Sequence, residues 1–483
     1  MRWTLALRHL LVRPGRAVVL LGGYAIGVAV MIVLLSVGTA MLEQSRDVAL
    51  VGGGDLTVLP EGLDLEAMRT GGMTGLFFGI DRARFVTREL LGGERHRATV
   101  AVVAPVLERK WVLLHVGDST WTVRAGGELP EAMRRVGGAD AVVAGAWQDA
   151  PQDSAWLHPT TQGYFDELDH FHRPIGRDST WAEWHYVNLV VSPDEWWYIT
   201  YLVGGDVNGA RWGGQLLVTR RRPDGVHERF VDEHPGDAVR FDTTRADVTI
   251  GANTITQRDG VYELRGQAGS VRFRMRLRPD RHRQFPAVEL SGGEFRSGYV
   301  VPAVTGRAEG ELCTASGCRT IRDLPAYHDH NWGSWREVTW EWGTARGATH
   351  ALLYGGVRQG AAPAARGSAP YFLALLDTLG VQQVYRFGAV EGDGAIPVTA
   401  FPGVVAPTSL RIVATRRDDS LVVGVRILDV HATRPPNGGG RIFLQMRGAW
   451  SVTGRAAGVT VADSGLGFFE RWVAASPAGR LPE

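Results

Sequence analysis

The sequence predicts an all-β protein that is preceded by one transmembrane helix. Residues 271–278 read VRFRMRLR, in which apolar residues alternate with arginine, and this period of two is typical of a strand with one face in solvent. Short apolar runs recur through the C-terminal two thirds of the chain, separated by Gly, Pro, Asp and Asn turns. One long uncharged segment lies near the N-terminus, and the sequence offers no second one.

The apolar segment covers residues 17–42, and its about 26 uncharged residues exceed the ~20 that a helix needs to cross the hydrocarbon core. Arginines and no acidic residue precede it in the basic segment 1–16, whereas acidic residues follow it. This asymmetry predicts a single-pass protein of the inner membrane, with a cytoplasmic N-terminus and periplasmic or extracellular C-terminal domains. A cleaved signal peptide is the alternative, although its apolar stretch is usually shorter.

The N-terminal region, residues 1–115, resembles the first helix and first periplasmic stretch of FtsX/MacB-type ABC transporter permeases. The resemblance implies a permease-like extracytoplasmic segment over residues 43–150 and ABC transporter subunits as partners. Those permeases carry further membrane helices, which this sequence lacks. Transport by this chain alone is therefore not expected.

Strands are predicted along the rest of the chain, after a loop over residues 150–180 that joins the anchor region to the main domain. Their common feature is a short apolar or alternating run bounded by turn residues. These runs are 184–191, 196–203, 214–219, 271–278, 349–355, 371–376, 410–414, 421–428 and 441–446. Strands at this spacing, without a convincing soluble helix, favour antiparallel barrels or sandwiches.

Composition and motif content exclude several function classes. Lysine plus arginine (52) nearly balances aspartate plus glutamate (51), so we expect no nucleic-acid partner. No GxSxG elbow, P-loop or dinucleotide fingerprint is present. The 16 tryptophans are concentrated between residues 147 and 342, which fits either a lipophilic cavity or an ordinary aromatic core.

The most specific motif is AYHDHNWG at 326–333, accompanied by EWHYVN at 183–188 and EWWY at 195–198. Together they resemble the carotenoid 1,2-hydratase/AttH lipocalin-like family, over about residues 165–475. The resemblance implies two tandem lipocalin-like antiparallel barrels or sandwiches, at 151–335 and 336–475, with a tail at 476–483. It also implies a hydrophobic ligand, isoprenoid or lipid, and a hydro-lyase or isoprenoid cyclase activity on an alkene.

A strand at 327–332 places Tyr327, Asp329 and Asn331 on one side and the residues between them on the other. In the family hydratases, the aspartate that matches Asp329 is the supposed acid and the tyrosine that matches Tyr327 is its partner. We therefore assign Asp329, Tyr327 and Asn331 as catalytic residues. A carboxyl group in an apolar cavity keeps its proton near neutrality, as the protonation of an alkene requires.

The expected ligand-binding residues share an aromatic, imidazole or carboxyl side chain within the three motifs, and aromatic faces among them can stabilise a carbocation. They are Glu183, Trp184, Tyr186, Trp197, His328, His330 and Trp332. The alternative is that the polar members cross-link strands through hydrogen bonds and have no chemistry.

Two His-x-His pairs are also present, His170 with His172 and His328 with His330. Such pairs on strands can chelate zinc or iron, but nothing in the sequence shows that the two pairs meet. We therefore assign no metal and no cofactor from the sequence.

Cys313 and Cys318 lie in a short polar turn, GELCTASGCRT. In an oxidising compartment, a close pair of this kind is predicted to form a local disulfide, with two unpaired thiols as the alternative.

The functional hypothesis is thus a membrane-anchored extracytoplasmic protein that binds a hydrophobic small molecule or lipid and hydrates or cyclises an alkene. The alternative is a non-enzymatic lipid- or lipoprotein-handling accessory subunit of an ABC transport system.

Overall fold

The computed structural model describes residues 14–47, 80–136 and 160–474, except residues 175, 293–294, 336–337, 360–368 and 435–440, together with the isolated residues 56, 58 and 156. The chain forms two compact units. The first comprises Met1–Phe78 with Val102–Leu157, and the second comprises Gly79–Ala101 with His158–Glu483.

The first unit contains a long helix, a two-stranded hairpin and a short helix. These are α1 (Pro14–Asp47), β1 (Val106–Val116), β2 (Ser119–Glu128) and α3 (Pro130–Arg135). The part of α1 from Pro14 to Val37 is long and apolar enough to span a membrane, and its described side chains are almost all exposed. The predicted apolar N-terminal helix is therefore present. Its membrane insertion and orientation remain predictions.

The second unit begins with two helices, α2 (Ile80–Gly92) and α4 (Thr161–Leu168), and continues as strands. The strands of its first sheet are β3 (Ala182–Ser192), β4 (Glu195–Gly205), β5 (Trp212–Arg221), β6 (His227–Pro235), β7 (Val239–Phe241), β8 (Val248–Ile250), β9 (Asn253–Arg258), β10 (Val261–Ala268), β11 (Val271–Pro279), β12 (Phe285–Gly292), β13 (Phe295–Thr314) and β14 (Gly317–Trp335). Antiparallel pairing follows the order β6-β5-β4-β3-β14-β13-β11-β10-β9-β8-β7, and β12 pairs with β13. The sheet curls around its own core as a nearly closed barrel.

The second sheet contains β15 (Val338–Gly347), β16 (Ala351–Gln359), β17 (Tyr371–Asp377), β18 (Gly380–Phe387), β19 (Glu391–Asp393), β22 (Ser409–Arg416), β23 (Asp419–Thr433), β24 (Arg441–Ala456) and β25 (Val459–Ala474), and β20 (Ile396–Pro397) pairs with β21 (Val405–Ala406) beside it. Its order is β18-β17-β16-β15-β25-β24-β23-β22-β19. A further pairing between β18 and β22 closes it into a barrel. The predicted all-β class, with two barrels after an apolar helix, is confirmed.

Strand β11 shows how the alternating pattern builds the first barrel. Its apolar residues Val271, Phe273, Met275 and Leu277 are buried, whereas the arginines between them are exposed. The same alternation is what residues 271–278 predict from their sequence, since successive side chains of a strand point to opposite faces of the sheet.

The strands nearest the sheet boundary are buried on both faces, because a third core lies between the two sheets. Tyr186, Tyr198 and Tyr327 of the first sheet pack there with Trp342 and Phe372 of the second. This explains the consecutive buried residues 326–330 in β14, where a half-exposed strand would alternate.

The prediction that residues 150–180 form only a loop and that no soluble helix exists was wrong. Helix α4 begins after Thr160, whose side chain accepts a hydrogen bond of 3.0 Å from the backbone N–H of Gly163. With only eight residues, the helix is too short to show a repeating apolar face.

Cys313 and Cys318 form a disulfide at the end of the β13–β14 hairpin, where they are paired directly across the two strands.

Candidate functional site

Strand β14 contributes to two polar clusters, one on each of its faces. Tyr327 and Asp329 point into the core between the sheets, in what we call the aromatic–carboxyl cluster. His328 and His330 point into the first barrel, in what we call the histidine cluster. Their separation follows from the alternation of side chains along a strand.

Asp329 is the first carboxyl group of the aromatic–carboxyl cluster and is only 2% exposed. Its Oδ2 accepts a hydrogen bond of 2.5 Å from the Tyr327 hydroxyl, and its Oδ1 accepts one of 2.6 Å from the Asn331 amide. The indole N–H of Trp342 donates to the Tyr327 oxygen at 2.8 Å. Burial raises the pKa of Asp329 to about 7, although both hydrogen bonds oppose that rise.

Glu470, on β25, is the second carboxyl group of this cluster. Its side chain forms a hydrogen bond with the Tyr186 hydroxyl. The oxygen of that hydroxyl also accepts a hydrogen bond of 2.8 Å from the amide of Gln445. Burial raises the pKa of Glu470 to about 8, and the negative charge of Asp329 adds to the effect. Within the described part of the chain, Glu470 Oε1 has no hydrogen-bond partner. Glu470 was not among the residues predicted from the sequence, where it stands as a lone acid in the aromatic run FFERW.

Aromatic rings enclose the two carboxyl groups. Tyr299 and Trp342 meet edge to face at 4.9 Å, and Phe372 stacks on Tyr299 at 5.5 Å. On another side, the buried guanidinium of Arg447 lies 4.3 Å from the ring centre of Phe468. Burial lowers the pKa of Arg447 to about 10. Among the described residues, we find no ion pair or hydrogen bond to this guanidinium.

The histidine cluster is built around His330. Its Nδ1 lies 2.6 Å from Asp169 Oδ1, and its Nε2 lies 2.9 Å from Glu183 Oε1. Burial alone would lower the pKa of His330, but attraction to Asp169 and hydrogen bonds to both carboxylates outweigh it and raise the pKa to about 9. His185 stacks on His330 with ring centres 4.0 Å apart, and burial lowers its pKa well below the usual range.

The solved structures that resemble this chain include the following three proteins. An AttH-like protein from Nitrosomonas europaea is 16% identical with a TM-score of 0.45, and the match covers 69% of this chain and 99% of that one. Kievitone hydratase from Nectria haematococca is 11% identical with a TM-score of 0.44, covering 66% and 94%. CghA is 10% identical with a TM-score of 0.43, covering 62% and 90%.

No protein-family model and no curated protein sequence matches the chain. Similarity at these identities concerns the fold and not an activity. It lends no support to the permease resemblance, which stays a prediction.

The structure brings the three predicted catalytic residues together but divides the predicted ligand-binding residues. Tyr186 belongs to the aromatic–carboxyl cluster, and Trp184 packs at its edge. The other five point into the first barrel, and they are Glu183, Trp197, His328, His330 and Trp332. One pocket lined by all seven is therefore not formed, because neighbours along a strand face opposite ways.

The two His-x-His pairs meet through one member each. The ring centres of His172 and His330 lie 5.6 Å apart, and His172 also stacks on Trp332 at 3.4 Å. Sequence analysis assigned no role to Asp169 or His185, which join the same cluster. The position of His185 within the EWHYVN motif was a weak indication that it belongs to the site.

Two open pockets, of about 450 and 810 Å³, lie elsewhere on the first barrel. The first is lined by residues such as Arg222 and Phe230, and the second by residues such as Arg274 and Glu309. Neither includes a residue of the two clusters.

Proposed function

We propose that the chain is a membrane-anchored, extracytoplasmic protein that binds an isoprenoid or lipid alkene between its two β domains and hydrates or cyclises it by acid catalysis. The observation that carries the proposal is a pair of buried carboxyl side chains, Asp329 and Glu470, each bonded to a tyrosine hydroxyl and enclosed by aromatic rings. An acid protected from water and surrounded by π faces is what protonation of an unactivated alkene needs.

In the proposed hydration, the carboxyl proton of Asp329 moves to one alkene carbon, and the π electrons form the new C–H bond. The other carbon becomes a cation, which the rings of Tyr299, Trp342 and Phe372 stabilise. Water then forms the C–O bond and returns one proton to the carboxylate, so the acid is regenerated. In a cyclisation, a second double bond attacks the cation and forms a C–C bond. The new cation then loses a proton from a neighbouring carbon to the carboxylate, which leaves a double bond and regenerates the acid.

Tyr327 and Asn331 act as positioning residues, since their hydrogen bonds hold the two oxygens of Asp329. Glu470 provides a second acid or base within the same core. Its free Oε1 is available to a substrate or to the attacking water.

Arg447 suggests the chemistry of the ligand. A buried cation that stacks on rings and has no anionic partner among the described residues suits an acidic group on an otherwise hydrophobic molecule. We therefore favour an unsaturated lipid acid or an isoprenoid with an anionic end over a pure hydrocarbon.

The test uses the full chain, purified in detergent. Lipids that co-purify are identified by mass spectrometry, and the unsaturated species are then incubated with the protein to detect the addition of one water or an isomeric ring. Asp329→Asn keeps the volume of the side chain but removes the acid. We expect turnover to fall by at least ~100-fold, while lipid retention changes little.

The matched control is Asp323→Asn, the same change at an exposed position of the same strand, and it should leave turnover intact. A folded Asp329→Asn variant with full turnover would remove Asp329 as the acid. Loss of folding in that variant would support a strand-linking role. If wild type and variant both retain lipid and neither converts it, the accessory-subunit alternative is favoured.

A further inference from the structure

The histidine cluster lies outside the proposed reaction and contains an unusual concentration of metal-binding side chains. Six of them come together inside the first barrel, and five are at most 2% exposed. The six are Asp169, His172, Glu183, His185, His328 and His330. Ionisable groups buried this deeply are costly unless they are paired or bind an ion.

The hydrogen bonds of the cluster leave several nitrogens without a partner. Within the described part of the chain, neither ring nitrogen of His185 is hydrogen-bonded, and Nε2 of His328 is also unbonded. An unsatisfied buried polar atom destabilises the folded state, because it has lost its hydrogen bonds to water. A protein-only network, with His330 as a cation between Asp169 and Glu183, leaves His185 unexplained.

Ring nitrogens of three histidines, bonded and unbonded, lie around the carboxylate of Asp169. Asp169, His185 and His330 each offer a ligand atom, and these three atoms lie within 4.8 Å of one another. His328 Nε2 lies 3.7 Å from Asp169 Oδ2. Two or three imidazoles with one carboxylate form a donor set that suits zinc or ferrous iron.

Hydrogen bonds behind these donors match the surroundings of metal-binding histidines, which donate their second N–H to a carbonyl or carboxylate. His328 Nδ1 lies 3.1 Å from the backbone oxygen of Tyr186, and His330 Nε2 lies 2.9 Å from Glu183. The hydroxyl of Tyr262 donates a hydrogen bond to Asp169 Oδ2. The arrangement therefore leaves His328 Nε2 and His330 Nδ1 facing Asp169.

We propose that the first β domain binds one divalent transition-metal ion, zinc or ferrous iron, through Asp169, His185 and His330, with His328 as the fourth ligand. This site lies on the face of β14 opposite to Asp329. It is therefore separate from the proposed alkene site and is tested without an activity assay.

The full chain is purified in detergent without a polyhistidine tag, and its metal content is measured by inductively coupled plasma mass spectrometry. We expect about one zinc or iron ion per chain. After removal of the metal by a chelator, added Zn²⁺, or Fe²⁺ under anaerobic conditions, should raise the melting temperature.

The decisive variant is His185→Phe, which keeps a flat ring beside His328 and His330 but removes both nitrogens. A metal site predicts at least a ~10-fold loss of metal occupancy, as for the loss of a ligand or its support. A protein-only network predicts that neither the wild type nor the variant binds the ion. His431→Phe is the matched control, since His431 also has an unbonded buried nitrogen but lies in the second barrel.

The proposal is overturned if the wild type neither carries nor takes up Zn²⁺ or Fe²⁺, or if His185→Phe retains the wild-type metal content. If His185→Phe does not fold, His185→Gln replaces it in the same measurement. Full metal content in that folded variant also overturns the proposal.

Discussion

The indole nitrogen of Trp342 in β15 donates a hydrogen bond of 2.8 Å to the hydroxyl oxygen of Tyr327 in β14. This bond joins the two sheets at the residue that in turn donates to Asp329. The position of the proposed acid therefore depends on both β domains. A substitution on the second sheet should therefore alter the surroundings of Asp329 on the first sheet.

We expect Trp342→Phe to lower the free energy of unfolding by about 1–3 kcal/mol, because it removes a buried donor and part of a packed ring. Urea unfolding followed by fluorescence measures the change. Trp340→Phe, two positions earlier on the same strand, is the control, since the Trp340 ring stacks on Trp472 and is half-buried. An equal cost for both variants would show that the Trp342–Tyr327 bond contributes little.

Glu470 should make stability depend on pH. Burial raises its pKa from the ordinary value of 4.5 to about 8, so between these values the unfolded state has lost a proton that the folded state retains. Stability from this group is therefore fully present below pH 4.5 and falls as the pH rises towards about 8. Glu470→Gln should remove that loss and become progressively more stable than the wild type over the same interval.

Thermal unfolding of both proteins at about pH 5 and about pH 8 checks this expectation. The exposed Glu391 of the same barrel supplies the control variant, Glu391→Gln, which should follow the wild type. A stability difference between Glu470→Gln and the wild type that stays constant with pH would contradict the prediction.

Gly298 should not tolerate a side chain. It is paired with Trp332 across β13 and β14, and a Cβ atom there would lie 2.0 Å from the indole ring. Trp332 is fully buried and stacks on His172, so it has little room to move. We expect Gly298→Ala to cost about 1–3 kcal/mol through overpacking.

Gly424→Ala is the control for this change, because the nearest atom to its new Cβ is Ser451 Oγ at 3.6 Å, an ordinary contact. It should be neutral or stabilising by about 0.5–1 kcal/mol. Chemical denaturation of both variants measures the change in the free energy of unfolding for each. Equal stability for the two would show that the Trp332 ring shifts freely.

The Cys313–Cys318 disulfide closes a very short loop, so its loss should cost no more than about 2 kcal/mol in the chain-entropy model. A Cys313→Ser/Cys318→Ser double variant should therefore still fold. Alkylation without reductant should leave the native protein unmodified. Two freely alkylated thiols in protein from the extracytoplasmic compartment would contradict the predicted redox state.

The orientation predicted from the N-terminal arginines places both β domains outside the cytoplasm. Protease added to intact spheroplasts should then degrade the β domains and spare a cytoplasmic N-terminal tag. A β region that survives while the tag is cut would show the opposite orientation. A soluble β region released from its N-terminal helix would indicate a signal peptide.

The all-β class, the apolar helix and the faces of individual strands could be predicted from the sequence. The reason is that alternation with a period of two and a long uncharged run are local properties of the chain. Positions i and i+2 of a strand share a face, so the sequence could place Tyr327, Asp329 and Asn331 together.

What those faces contact depends on how distant segments of the chain pack together. Glu470 reaches the neighbourhood of Asp329 because β25 pairs with β15, and the face of β25 that carries Glu470 packs against the first sheet. This relationship joins distant segments and leaves no local pattern. Asp169 and His185 join His330 for the same reason, through the end of α4 and the pairing of β3 with β14. Alternate side chains of β14 point to opposite faces of the sheet, and both faces are buried. Which neighbours each face meets, and hence which chemistry it has, depends on the packing of that face.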